Sequence, residues 1–219
     1  MVGSNNTILQ PWNSAFKVVL VVGLLCQSLS SQNETLRTVD AKTIDRIVVH
    51  GNQIFEIEVY AEKRQTIELR SLLDGEYENN FQISVLEYNN SLEIKLVESK
   101  LSEIPDNKRN AHKVVAATLR LMIPIDLRLE VVSDVGFLVT GGRFKSVMAN
   151  LRSGYFKFIG QASLLHVETA RGNIYVSTAN TTIEAESAKG QVSGLSATTG
   201  RNRAVLKSIS GDIIIEKLE

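Results

Sequence analysis

The sequence predicts an all-β protein: a parallel β-helix, or solenoid, of 18–21-residue rungs with an irregular N-terminal β cap. Three observations carry this. Gly136, Gly154, Gly172 and Gly190 stand 18 residues apart, and Gly211 follows after 21. Around each glycine, apolar and polar side chains alternate by two, the period of a strand. No segment beyond the leader reads as a helix.

The chain opens on that leader. Lys17 precedes an apolar run, Val18 to Leu25, and then the small and polar stretch Cys26-Gln27-Ser28-Leu29-Ser30-Ser31-Gln32. A basic flank, a short apolar core and a small-residue cleavage region describe a secretory signal peptide over residues 1–31. The run falls short of the ~20 residues that span a bilayer. A retained signal anchor is one alternative. A lipid-modified Cys26 is another, although Leu25 stands where lipid-processing sites carry Gly, Ala or Ser.

Removing the leader takes away the only cysteine, Cys26, and the only tryptophan, Trp12. The exported chain then has no disulfide, no thiol nucleophile and no cysteine metal ligand. The leader holds one basic residue, Lys17, and no acidic one, which leaves 23 basic residues against 24 acidic. That balance excludes nucleic acid and anionic membrane as charge-driven partners. No second apolar segment reaches spanning length. The remaining residues suffice for one domain with its own core.

Residues 44–125 form the less regular part. Ile44–Val49, Phe55–Tyr60 and Thr66–Leu69 read as strands. Phe81–Leu96 reads as a hairpin turning at Asn89-Asn90, with Ile83 opposite Leu96 and Val85 opposite Ile94. Leu101–Ala111, polar and containing Pro105, reads as a loop. Val114–Ile123 is a strand stopped by Pro124. This part is expected to cover the end of the stack, because a bare terminal rung exposes unpaired backbone groups.

Residues 126–219 form the regular rungs. Seven residues before the glycines stand Leu129, Val147, Leu165, Ile183 and Ala204; five before stand Val131, Ala149, Val167, Ala185 and Leu206. Three before stand Ser133, Leu151, Thr169, Ser187 and Ser208. Two after stand Leu138, Phe156, Ile174, Val192 and Ile213; four after stand Thr140, Phe158, Val176, Gly194 and Ile215. These columns point inward, and the columns between them are mostly polar. Each unit is two short strands about a glycine, the residue that accepts positive φ without steric cost. One such unit cannot bury its inner side, but stacked units can. The Ser/Thr column either forms a hydroxyl ladder or fits a tight corner, and Leu151 within it favours the corner. The six-residue aliphatic period of left-handed hexapeptide helices is missing.

The run LRLMIPIDLRLEVVSDVGFLVTG (Leu119–Gly141), with NLRSGYFKFIG, HVETARGNIYV and SISGDIIIEKL after it, resembles the bacterial "putative adhesin" domains of the autotransporter-head type. The resemblance covers about residues 44–219. It implies an exported bacterial protein with a right-handed β-helical fold, and it supplies no catalytic residues or cofactor.

Two outward faces carry candidate residues. His166 and Glu168 lie on one rung and Glu184 and Glu186 on the next, so Glu168 and Glu186 are expected as stacked like charges. A cation site or an acid/base pair is the sharp interpretation of these four; a solvated polar face is the plain one. Asp134 and Asp212 are scattered, and His50 and His112 lie in unrelated segments. After the glycine, Phe137 and Tyr155 are expected to stack with Tyr175 nearby. They form either a contact platform or a patch covered by the N-terminal half or a long loop. The sequons at Asn33, Asn89 and Asn180 read as chance occurrences. The expected function is non-enzymatic surface contact with a cell-surface glycan or envelope protein, without a cofactor. The alternatives are a polysaccharide-acting enzyme using the His/Glu face and a purely structural envelope component.

Overall fold

A computed structural model describes residues 33–74, 80–99, 116–194 and 200–218. All belong to one compact unit, Gln32–Glu219. The leader with Cys26, the loop at 101–111 and His112 lie outside the described residues. Fifteen strands follow in order: β1 (Asn33–Asp40), β2 (Arg46–His50), β3 (Ile54–Glu62), β4 (Thr66–Asp74), β5 (Phe81–Tyr88), β6 (Ser91–Glu98), β7 (Ala116–Pro124), β8 (Arg128–Ser133), β9 (Phe137–Ser153), β10 (Phe156–Arg171), β11 (Ile174–Thr178), β12 (Thr181–Ser187), β13 (Val192–Gly194), β14 (Asn202–Ser210) and β15 (Ile213–Lys217). The all-β expectation holds, and no α-helix occurs among the described residues.

The strands lie in two ranks joined through the long strands β9 and β10. One rank runs β1-β4-β7-β3-β9-β10-β11-β15-β13 and uses the first halves of β9 and β10. The other runs β5-β6-β2-β8-β9-β10-β14-β12 and uses their second halves. The sheet is mixed and open-edged: β1–β4, β4–β7 and β5–β6 pair antiparallel, and the other pairings are parallel. The expected 18-residue register is present where β9 meets β10 (Phe156 beside Leu138) and where β10 meets β11 (Ile174 beside Phe156). The hairpin register is also as expected, with Asn89 and Asn90 at φ 48° and 61°.

Inward columns from both ranks share one core, in which Phe144, Phe156 and Phe158 are fully enclosed. At the turns, glycine is required by close approach. A Cβ on Gly154 would overlap the Gly136 carbonyl oxygen, and one on Gly172 would overlap that of Gly154, with φ at +122° and +157°. The hydroxyl column serves these turns. Thr169 donates to the Gly172 carbonyl (2.9 Å), Ser187 to that of Gly211 (2.7 Å), and Ser133 reaches the Gly51 carbonyl at 2.9 Å. The hydroxyls therefore satisfy turn carbonyls and do not form a ladder with one another.

β2 and β3, from the part expected to be irregular, pair in parallel on both sides, with β6–β7 and with β8–β9. Among the described residues β1, β4 and β5 pair antiparallel only. One expectation about order needs correction: the last two strand pairs are not in chain order. β14 sits between β10 and β12, and β15 sits between β11 and β13. An end tier has one neighbour, so the tier with the weaker apolar inner column belongs there. β14–β15 buries Ala204, Leu206, Ile213 and Ile215 at 3% exposure or less, whereas Val192 of β13 is 43% exposed and Gly194 has no side chain.

Candidate functional site

The first rank carries an aromatic ladder on its outer face. Phe137 and Tyr155 stack with ring centroids 4.5 Å apart and planes 23° from parallel. Tyr155 meets Tyr175 edge-on at 6.2 Å. These three are the residues expected from the sequence. Among the described residues of the N-terminal half, strand β3 runs beside β9 in the same rank and adds a fourth ring. Phe55 meets Phe137 edge-on at 4.9 Å and is 53% exposed. Tyr175, at the other end, is 36% exposed, and the central pair is half-buried. Such edge and offset contacts are the favoured aromatic geometries.

Neighbouring side chains hold the ladder. The Asn173 side-chain amide donates to the Tyr175 hydroxyl at 3.0 Å. Val139, Lys157, Tyr175 and Ile214 form the adjacent outward column, in register across β9, β10, β11 and β15. A hollow of about 250 Å³ opens beside Tyr175, with Lys157, Ile159 and Ile214 among its walls. On the N-terminal side Arg120 lies 5.7 Å above the Tyr60 ring and 2.6 Å from the Glu58 carboxylate. The Glu58 charge raises the Arg120 pKa above its ordinary value.

The His/Glu face has a different composition from the one expected. His166 Nε2 and Glu168 Oε1 lie 3.1 Å apart on β10. Because β14 is inserted, Val205 separates His166 from Glu184, and Lys207 separates Glu168 from Glu186. The predicted carboxylate stack is replaced by a Glu-Lys-Glu row, which removes the like-charge contact. Glu184 is engaged by Arg203 at 3.1 and 3.2 Å. A depression of about 450 Å³ lies here, bordered by Asn150, Glu168, Glu186, Lys207 and Ile209. Among the described residues, no group of three or more His, Cys, Asp or Glu side chains is placed to hold a metal ion. His50 belongs elsewhere, 3.1 Å from Glu93.

Comparison with known proteins places the fold. In fold, the chain is similar to a putative cell adhesion protein of Clostridium sporogenes. That likeness has a TM-score of 0.56 at 10% identity, over 85% of this chain and 99% of that one. A putative adhesin of Bacteroides fragilis aligns with a TM-score of 0.35 at 12% identity, over 84% and 97% of the two chains. No protein-family profile and no curated protein matches the sequence.

Phe55 is the member of the ladder that the sequence concealed. The pairing of β3 with β7 slips at Ile54/Glu56, and this bulge turns Phe55 outward against the local alternation. No turn glycine marks it: Gly136 lies against Ile54 and Phe55 themselves, and Gly51 lies against Ser133.

Proposed function

We propose that the protein is an exported, non-enzymatic β-solenoid that works by surface contact, in the manner of an adhesin. The parallel 18-residue registers support the solenoid, with the antiparallel strands β1, β4 and β5 as its N-terminal cover. The leader supports export. Fold likeness to a protein named for cell adhesion supports the broad role. The observation that carries the proposal is the outward ladder Phe55-Phe137-Tyr155-Tyr175. Large apolar rings kept partly in water cost solubility and contribute less to folding than enclosed ones, which is the usual mark of a contact surface.

The ring geometry narrows the partner. Phe137 and Tyr155 each turn a face toward the other, so the middle of the ladder offers rims. Stacking on a sugar falls to the end rings Phe55 and Tyr175, while the rims and the Val139/Ile214 column suit aliphatic side chains of an envelope protein. The test is direct binding of the full chain to a glycan array and to isolated bacterial envelopes. Saturable binding to either, competed by excess unlabelled protein, is expected. No binding to either, or hydrolysis of an arrayed polysaccharide, would overturn the proposal.

A further inference from the structure

We infer that the C-terminal end of the stack has a second stacking order, in which β14–β15 is withdrawn and β12–β13 rest directly on β10–β11. The sequence is already in register for that contact. Gly190 follows Gly172 by 18 residues, the offset that pairs β9 with β10 and β10 with β11. At that offset Ile183 falls on Leu165, Ala185 on Val167 and Ser187 on Thr169, continuing three inward columns. The polar groups at the turn find equivalent partners. The Gly172 amide, now donating to the Ser210 carbonyl, would find the Lys189 carbonyl where Arg171 offers its own to Gly154. Ser187, now donating to the Gly211 carbonyl, would reach that of Gly172, which Ser208 engages at 3.3 Å in the inserted order.

The two orders thus satisfy the same turn groups and differ in which tier ends the stack. Insertion is favoured by the larger inner column of β14–β15 and by Lys207 between Glu168 and Glu186. The sequential order moves Leu206, Ile213 and Ile215 to the open end and makes His166, Glu168, Glu184 and Glu186 neighbours on adjacent strands. One fold then offers a partner two different end surfaces. A bistable packed element of this kind needs only a small free-energy difference to switch.

Paired cysteines in the full chain carrying Cys26→Ser test this. His166→Cys with Glu184→Cys puts the two Cα atoms two strand spacings apart in the inserted order, about 9.6 Å, beyond the ~7 Å Cα limit of a disulfide. The sequential order puts them on adjacent strands. His166→Cys with Val205→Cys gives the rate for adjacent strands in the inserted order. His166→Cys with Glu130→Cys, separated by Met148 in both orders, gives the rate of closure through global unfolding. Intramolecular closure is followed by intact mass under mild oxidation in native buffer. The His166/Glu184 pair should close at least about tenfold faster than the His166/Glu130 pair, because partial opening is easier than global unfolding. Adding Lys207→Glu, which sets a third carboxylate between Glu168 and Glu186, should speed it several-fold. Closure no faster than that of the His166/Glu130 pair overturns the inference.

Discussion

Phe156→Ala, set beside Lys157→Ala, probes the inward and outward assignment at a single place in the stack. Phe156 is 0% exposed and sits in register between Leu138 and Ile174, so three tiers close around its ring. Losing the transfer free energy of a buried Phe side chain costs about 1.5–3 kcal/mol. The tiers above and below are fixed by their own backbone hydrogen bonds and can collapse only in part. A residual cavity of about 60 Å³, at about 24 cal/mol per Å³, adds about 1.5 kcal/mol. The terms sum to about 3–4.5 kcal/mol, within the ~3–5 kcal/mol typical of a buried Phe→Ala change. At this chain length that lowers the melting temperature by about 6–20 °C. Lys157, the next residue, is exposed, and its removal should change stability by less than about 0.5 kcal/mol. Urea melts with unchanged slope report both values. Equal costs for the two variants would refute the assignment.

Gly154→Ala should destabilise by more than about 3 kcal/mol, since the new Cβ meets the Gly136 carbonyl at a positive φ; a near-neutral urea melt would contradict the stacked turns. Lys207→Glu should cost about 0.5–2 kcal/mol at low salt, from like-charge contacts on both sides, and less at 1 M salt. A salt-independent effect would place Lys207 away from Glu168 and Glu186. Residues 1 to about 31 should be missing from the mature protein by intact mass, and a retained leader would remove the case for export. A diacylglycerol adduct on Cys26 would convert the protein to a lipoprotein.

Much of this fold is legible in the sequence because backbone geometry leaves little choice. Gly136, Gly154 and Gly172 lie beneath one another, and no residue with a Cβ fits there. Their spacing therefore measures the tier directly, and the inward columns follow from it. Asn89-Asn90 marks its hairpin for the same reason, since both residues take positive φ. What the sequence hides is the order of equivalent parts. Ile183, Ala185 and Ser187 present the same pattern as Ala204, Leu206 and Ser208, so either tier fits beneath the other by periodicity. Burial of Ile213 and Ile215 decides the order, and that is a comparison of whole tiers, which no local pattern displays. The neighbours on the His/Glu face differ from the expected ones through this one exchange. The strand β1 is also hidden. Its polar sequence NETLRTVD has no alternation, and it forms by pairing with β4 at the rim of the stack. The aromatic ladder was three-quarters visible, because Phe137 and Tyr155 follow the turn glycines in fixed register while Phe55 depends on a bulge.

The central claim is that the aromatic ladder exists for contact. Its most direct test is the triple variant Phe137→Ser, Tyr155→Ser and Tyr175→Ser, measured for thermal melting and for binding to whichever arrayed glycan or envelope preparation the wild type recognises. A melting temperature within a few degrees of wild type, with binding lost, is the expected result. Unchanged binding, or a variant that unfolds, would contradict it.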